Sequence, residues 1–420
     1  MKKTPVRGMR DILPTDMIIR EYLLNIIEDA AVSAGYQKIE TPAIEHLENL
    51  SNKDGGENET LIFKILKRGQ SLQKSIDTKL DLADSALRYD LTVPLARYFA
   101  ANTDGIPTPF KALQIGPVWR ADAPQKGRFR QFLQCDMDIL GDSSILAEID
   151  IITTTVKILS KICDEAKITG LTVHLNDRRI LLAAAKYAGF SESDYGSVLI
   201  SLDKNDKIGL NGVKTELERY NLDAFAIEKF IELFKKVNGE ISVVEFCELL
   251  GNESPEKSVL DDLKIIMAAV NKIDAINAKI IFDPTLVRGM GYYTGPIFEC
   301  SANGLKSSIA GGGRYDKMIG KFSGSTNIAA CGFSIGFERM ATILSDSGFT
   351  PITKRDMIAI LVDRNISSTK YGDIIKNAEE MRKCNKIVSV IPMARNISRQ
   401  IELLEKNGYS QFKKIYNNNL

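Results

Sequence analysis

Residues 118–132 read Val-Trp-Arg-Ala-Asp-Ala-Pro-Gln-Lys-Gly-Arg-Phe-Arg-Gln-Phe, and no other run restricts the fold as much. Strand-like stretches flank its tip, over 111–119 and 131–139, while 120–130 is rich in Pro, Gly and charge. That pattern predicts two antiparallel strands joined by a long basic turn. Arginine suits phosphate oxygens, because its planar fork binds two at once and stays charged at any relevant pH. Charge counting alone gives only a solvated basic hairpin. A phosphate site requires further arginines from other parts of the chain.

Any such site has to be local. Lys and Arg number 55 against 54 Asp and Glu, a formal charge of +1, so a polyanion must be held by a basic patch rather than by bulk charge. A length of 420 residues with 44% hydrophobic content allows two or three domains with cores of their own. Residues 1–10 are charged and lack the apolar stretch of a secretory signal. No later run reaches the roughly 18 apolar residues of a membrane span, so a cytoplasmic protein without membrane association is expected. The six cysteines (Cys135, Cys163, Cys247, Cys300, Cys331, Cys384) show no CxxC spacing, which fits reduced, buried thiols rather than zinc ligands or a disulfide framework. His46 and His174 are the two histidines, neither with a second His or Cys at ligand spacing. Neither a metal held by side chains nor a serine triad is expected.

Helical spacing of Ile18, Ile19, Tyr22, Leu23, Ile26, Ile27, Ala30 and Ala31, between Pro14 and Gly35, predicts an amphipathic helix. Pro42 then favours an extended segment before it. Residues 50–86 read as polar and irregular around a short strand at 62–66, an edge hairpin with a mobile loop, and 86–89 as a further strand. A helix is expected over 145–162 and a strand over 171–175. Between 185 and 275, charged and helix-favouring stretches such as 225–237 and 259–273 predict an inserted helical domain. Strands return at 279–282, 295–300 and 329–334, with a helix over 335–344. After Gly348-Phe349-Thr350-Pro351, strand and helix alternate through 357–362, 374–382, 386–391, 397–404 and 412–416, predicting a small α/β unit with a parallel sheet.

Three later segments bear on chemistry. Residues 286–295 read Leu-Val-Arg-Gly-Met-Gly-Tyr-Tyr-Thr-Gly, where paired tyrosines beside glycines are by themselves turn or core residues. Residues 310–316 read Ala-Gly-Gly-Gly-Arg-Tyr-Asp; glycines permit close backbone approach to a ligand, yet a triplet alone reads as a turn and lacks the spacing of other nucleotide loops. Residues 332–340, Gly-Phe-Ser-Ile-Gly-Phe-Glu-Arg-Met, pass from strand to helix through glycine. In this order, and along nearly the whole chain, the segments resemble the class II histidyl-tRNA synthetase family. Residues 118–132 resemble its motif 2, in the histidyl form Pro-Gln-x-Gly-Arg-x-Arg. Residues 286–295 resemble the signature peculiar to the histidyl enzymes, 310–316 the Gly-Gly-Arg-Tyr-Asp element, and 332–340 motif 3. Residues 35–50, with Pro42, resemble motif 1.

The resemblance implies an α+β fold: a class II antiparallel-sheet catalytic domain with a helical insertion, plus a small C-terminal α/β domain of the anticodon-binding type. Its parts would be 1–184 (catalytic, motifs 1 and 2), 185–276 (helical insertion), 277–346 (catalytic, histidine signature and motif 3) and 355–420 (a shortened anticodon-binding-like domain). It implies a ligase that joins histidine to ATP as histidyl-adenylate, with Mg2+, and transfers it to the 3′ end of tRNA(His), working as a homodimer through motif 1. Arg120, Arg288 and Arg339 would be the catalytic cations. ATP would be held by Arg120 at the α-phosphate, Asp122, Arg128 at the outer phosphates, Phe132 on adenine, and Arg339 at the γ-phosphate. Asp90, Thr92 and Gln134 would take histidine's amino group and Asp138 its imidazole, with Arg288, Tyr292 and Tyr293 bordering the pocket. Gln125 and Lys126 would approach the tRNA acceptor end. The chain departs from the commonest family pattern at Gly291 (often Asp), Ala123 (often Arg) and Asp90, Asp122 and Asp138, where Glu is usual. The alternative is a synthetase-like paralogue that does not aminoacylate, such as the regulatory subunit of ATP phosphoribosyltransferase or an adenylating enzyme without tRNA.

Overall fold

The computed structural model describes the chain except for residues 52–59, 125–127, 238, 274–277, 289–290, 306–307, 324–327, 350, 352–354 and 418–420. Two compact units form, one of Met1–Arg10 with Leu23–Ser347 and the other of Asp11–Tyr22 with Gly348–Leu420. In the first, an eight-stranded sheet is built around the hairpin Phe110–Trp119 and Gln131–Leu140. Gln37–Ile39 adds in parallel to one side of that hairpin. On the other side Ala330–Ile335, Ala310–Arg314, Pro296–Ser301 and Leu171–Asp177 continue antiparallel, and Ala278–Phe282 closes the far edge in parallel.

Period-two alternation gives the sheet two unlike faces. Met137, Ile139, Cys331, Phe333, Phe298, Cys300 and Val173 are buried on one of them, the face packed by helix Leu146–Glu165, which brings Ile151, Ile152, Val156, Leu159 and Ile162. Gly312 lies in register between Phe298 and Phe333, whose rings then meet at 4.7 Å. The opposite face carries Gln114, Gln134, Asp136, Asp138, Ser334, Glu299 and His174. Burial on one side and polar groups on the other make that second face the place for a ligand.

Helices Arg178–Ala188, Tyr195–Leu202, Asn205–Arg219, Ala224–Lys235, Val243–Leu250 and Lys257–Asn271 follow. Their starts carry local stop signals for the preceding chain: Asp177 accepts from the Arg179 amide, Asp223 from that of Ala226, and Ser242 and Glu245 form a reciprocal capping box. Phe190, Phe230, Phe234 and Phe246 run as a chain of ring contacts, 4.9–5.9 Å apart, that ends on Phe282 of the sheet's edge strand. The second unit holds a parallel sheet ordered Ile387–Pro392, Met357–Val362, Gln411–Ile415. Helix Tyr371–Lys383 packs Ile374 and Ala378 on one side of it, and helix Ile397–Lys406 packs Ile397, Ile401 and Leu404 on the other.

Two local readings from sequence differ from the structure. The segment taken as irregular contains helix Gly69–Asp77 between strands Lys64–Leu66 and Ala83–Leu87, which join Ile44–His46 in a small antiparallel sheet. That helix has only Leu72 and Ile76 to mark an apolar face, at helical spacing but within nine mostly polar residues, too short a pattern to stand out from a polar loop. The glycine run 311–313 is not a turn but the middle of a fully buried strand. Glycine is a poor strand former, and the reason it is needed there lies in side chains remote in sequence.

Candidate active site

The polar sheet face is paved with glycine where long side chains cross it. A Cβ on Gly116 would overlap the guanidinium of Arg88, one on Gly311 that of Arg288, and one on Gly332 the carboxylate of Asp138; on Gly313 it would stand 3.0 Å from the ring of Tyr293. These glycines make room for protein side chains lying flat on the sheet. Gly311→Ala should therefore displace Arg288 without unfolding the strand, lowering any turnover that depends on that guanidinium by about 10²-fold. Steady-state kinetics beside a thermal melt check this, and unchanged kinetics in the folded variant would show that Arg288 needs no such floor.

Arg288 donates to Glu299 at 2.6 Å and reaches over the sheet from the segment before Pro296–Ser301. Arg339, near the start of helix Phe337–Asp346, donates to the Ser308 carbonyl. Burial lowers the pKa of Arg339, and the positive charges of Arg128 and Arg288 lower it further, against the pull of Glu299. Arg339, Arg288 and Arg128 thus act on one another with Glu299 and Asp122 as the carboxylates beside them, a net positive surplus that suits a polyanion. Arg128 itself is half-exposed and holds Asp122 through a fork, at 3.2 and 3.0 Å. Arg120 donates to the Tyr89 carbonyl at 2.9 Å and lies 5.2 Å from the centre of the Phe132 ring. Gln125 and Lys126 lie outside the described residues.

Deeper in the face, Asp90, Asp136 and Asp138 are all buried. Asp90 accepts from the Val93 amide at 3.1 Å, at the entry to helix Thr92–Ala101 whose first residue is the half-buried Thr92. Ser334 donates to Asp136 and Tyr315 to Asp138, each at 2.5 Å. Desolvation raises the pKa of all three carboxyls, that of Asp136 up to about 7, and each feels the charge of at least one of the others or of Arg120. Two acceptor atoms, Asp90 Oδ2 and Gln134 Oε1, are buried with no hydrogen-bond partner among the described residues. Unpartnered buried acceptors are costly, and a hydrogen-rich cation is the kind of ligand that would offset this cost. Tyr292 meets Tyr293 at 4.8 Å and Tyr315 at 6.0 Å, forming an aromatic wall. Tyr292 also lies within the field of Asp90, and Tyr293 within that of Arg288.

The sequence-predicted residues Asp90, Thr92, Arg120, Phe132, Gln134, Asp138, Arg288, Tyr292, Tyr293 and Arg339 thus come from separate segments to one region, whereas Arg128 turns outward to Asp122. Gly291 is exposed and a Cβ there would meet nothing, so the backbone does not require glycine at that position. Sequence reasoning missed the start of the chain. The Gly8 carbonyl accepts from the Arg130 amide at 2.8 Å. Arg10 stacks 4.3 Å over Phe129 and pairs with Glu338 at 2.7 Å, and Glu338 also accepts from the Leu133 amide. Asp136 and Ser334 were missed too, although the alternation Gln134, Asp136, Asp138 places all three on one strand face. His174 bridges Asp283 and Ser301, 2.9 Å to each, so a serine–histidine–acid hydrogen-bond series exists where none was expected. Ser301 ends the interior strand Pro296–Ser301 and Asp283 follows the edge strand Ala278–Phe282, the two strands that flank that of His174. Among the described residues no group of three or more His, Cys, Asp and Glu side chains is arranged to hold a metal ion. No helix among them is long and apolar enough to cross a membrane.

Comparison with known proteins places the chain in a family. The sequence model of the histidyl-tRNA synthetase family matches residues 8–340. A histidine–tRNA ligase of Leifsonia xyli subsp. xyli is 38% identical over 419 residues, covering 97% of this chain and 94% of the relative. That of Christiangramia forsetii is 34% identical over 421 residues, covering 96% and 90%. Among solved structures, the histidyl-tRNA synthetase of Nostoc sp. PCC 7120 superposes with a TM-score of 0.74 at 26% identity, over 97% of this chain and 90% of that one. A Bacillus halodurans structure described as an ATP phosphoribosyltransferase regulatory subunit/histidyl-tRNA synthetase shares the fold, with a TM-score of 0.74 at 20% identity. With a family match over most of its length and relatives above 30% identity across nearly all of it, the chain belongs to the histidyl-tRNA synthetase family.

Proposed function

We propose that the protein activates histidine with ATP, giving histidyl-adenylate and pyrophosphate, and then transfers histidine to the 3′ end of tRNA(His). The observation that carries this reading is the pairing on one sheet face of an acidic pocket, with buried unpartnered acceptors at Asp90 and Gln134, and an arginine cluster beside it. An amino acid presents an ammonium to the first and its carboxylate toward the second, where a triphosphate also fits.

In the reaction the histidine carboxylate attacks the α-phosphorus and pyrophosphate departs. Arg120 orients the carboxylate and α-phosphate, Arg288 stabilises charge developing at the α-phosphate, and Arg339 and Arg128 hold the outer phosphates, with Asp122 fixing the Arg128 fork. Phe132 lies beneath the adenine. No protein group needs to remove a proton, since the nucleophile is already a carboxylate. Magnesium would arrive on the triphosphate and neutralise part of its charge, with Glu299 the hard oxygen donor beside the arginines. Asp138, held by Tyr315, accepts from the imidazole, and Tyr292 and Tyr293 enclose it. An apolar competitor would leave these buried acceptors unpaired, and that penalty is the source of selectivity.

Around this centre the domain parts 1–184, 185–276, 277–346 and 355–420 take the roles implied by the family. Gln125 and Lys126 meet the tRNA acceptor end, the helices of the insertion clamp its stem, the last domain reads the anticodon, and two copies pair through the motif 1 region. The test is histidine-dependent ATP–pyrophosphate exchange followed by charging of tRNA(His). Pure folded protein without exchange would sink the proposal, and exchange without charging would reduce it to adenylation alone.

A further inference from the structure

We infer that Asp136 is a positioning residue for the substrate's amino group, acting through the Ser334 hydroxyl to fix which end of the Gln134 amide faces the ligand. The inference rests on the histidine-activating reading above and deepens it.

Gln134 and Asp136 point the same way from strand Gln131–Leu140, and Ser334 is the cross-strand partner of Asp136. Ser334 Oγ donates to Asp136 Oδ1 at 2.5 Å, and Gln134 Nε2 donates to Ser334 Oγ at 3.1 Å, with Asp136 Oδ1 3.5 Å away. A carboxylate only accepts hydrogen bonds. The single Ser334 proton is therefore committed to Asp136, and the Ser334 oxygen can only accept from its other neighbour. Gln134 must turn its NH2 group toward that oxygen. The opposite orientation would set Oε1 against lone pairs of both Ser334 and Asp136. Gln134 Oε1 is left as the buried acceptor without a partner among the described residues. The charge of Asp136 is thus converted, one hydroxyl away, into an acceptor presented to the pocket. Together with Asp90 Oδ2, likewise unpartnered, it asks for a donor with several hydrogens, which an ammonium is and a methylene is not.

The relay has a definite polarity, and protonation reverses it. Burial pushes the Asp136 carboxyl up to about 7, with Ser334, Arg120 and Arg88 drawing it down and Asp90 raising it; Asp136 in turn raises Asp138. A protonated Asp136 would donate to Ser334, and Ser334 would then donate to Gln134, turning its oxygen inward and its NH2 toward the ligand. Preference for an amino group should then fade as pH falls through about 7.

The experiment is titration calorimetry of the full-length protein at mildly alkaline pH with histidine and with its desamino analogue imidazolepropionate, alongside exchange kinetics. Asp136→Asn and Ser334→Ala should each cut the histidine-to-analogue affinity ratio by about tenfold, roughly one hydrogen bond, and raise KM for histidine with little change in kcat. The double variant should be no worse than either single one, because both break the same chain. Equal weakening of both ligands would mark a purely structural role and overturn the inference. So would a changed ratio in Asp136→Asn with an unchanged one in Ser334→Ala, which keeps the charge and removes only the relay. Should Asp136→Asn fail to fold, Ser334→Ala decides alone by the same ratio. Wild-type protein without histidine-dependent exchange would overturn the functional reading and the relay together, whereas normal exchange with unchanged ratios overturns only the relay.

Discussion

Arg288→Ala should lower histidine-dependent ATP–pyrophosphate exchange by about 10³-fold, the scale of losing one preorganised group aimed at developing charge. The guanidinium lies over Gly311 and is fixed by Glu299 at 2.6 Å, so little reorganisation is required when charge builds on the α-phosphate. Alanine removes that cation and also leaves Glu299 without its partner, facing the nucleotide. Histidine itself should still bind within about threefold, since the interaction is stronger in the transition state than in the ground state. Arg288→Lys should recover only part of the rate, because an ammonium cannot reproduce the planar fork. Near-normal exchange in the alanine variant would remove Arg288 from the mechanism. A proportionate loss of histidine affinity would instead make it a binding residue.

Glu148→Ala should destabilise the protein by about 3–5 kcal/mol, as measured by denaturant unfolding. Arg314 leaves the glycine strand on its buried face and forks onto Glu148 at 2.5 and 2.7 Å, with further bonds to the carbonyls of Asp142 and Ser144 and to Asp316. The Glu148 side chain is fully buried. Removing it leaves the buried guanidinium with only the half-buried Asp316 carboxylate, at 3.3 Å, to balance its charge, whereas replacing both Arg314 and Glu148 by apolar side chains of similar size should cost far less. Similar stability losses in the single and double variants would show that packing, not an orphaned charge, sets the cost. Tyr315 is the next residue and holds Asp138, so a milder change such as Glu148→Gln should also raise KM for histidine in exchange assays.

What could be read from sequence divides along physical lines. Strands Phe110–Trp119 and Gln131–Leu140 announce themselves because local alternation and a polar turn specify a hairpin without outside help. The strands and helices of residues 357–416 are equally plain, since each carries its own period. The arginines could be nominated by motif, but nothing local says that Arg128 turns to Asp122 while Arg288 lies across a strand. The glycine strand could not be foreseen, because its composition answers to Arg288, Tyr293 and the Phe298–Phe333 contact, all set by pairing of remote segments. Asp136 was hidden for a similar reason: its meaning depends on Ser334, 198 residues later. Helix Gly69–Asp77 offers only Leu72 and Ile76 on its apolar face, too few in a short polar stretch to announce a helix.

Arg10, stacked on Phe129 and paired with Glu338, has a kinetic meaning. Its bond to Glu338 spans 328 positions, among the longest separations in the chain. At roughly 5–20 residues per second of synthesis, the amino terminus would wait on the order of tens of seconds before its carboxylate partner exists. During that interval the hairpin from Phe110 to Leu140 can form with its own basic tip, but the tip remains unbraced from the side of helix Phe337–Asp346. Contacts of this reach contribute little to early collapse and must pay loop-closure entropy late. The full set of arginines, Arg339 included, is therefore assembled only after the last strand of the large sheet, Ala330–Ile335, has emerged.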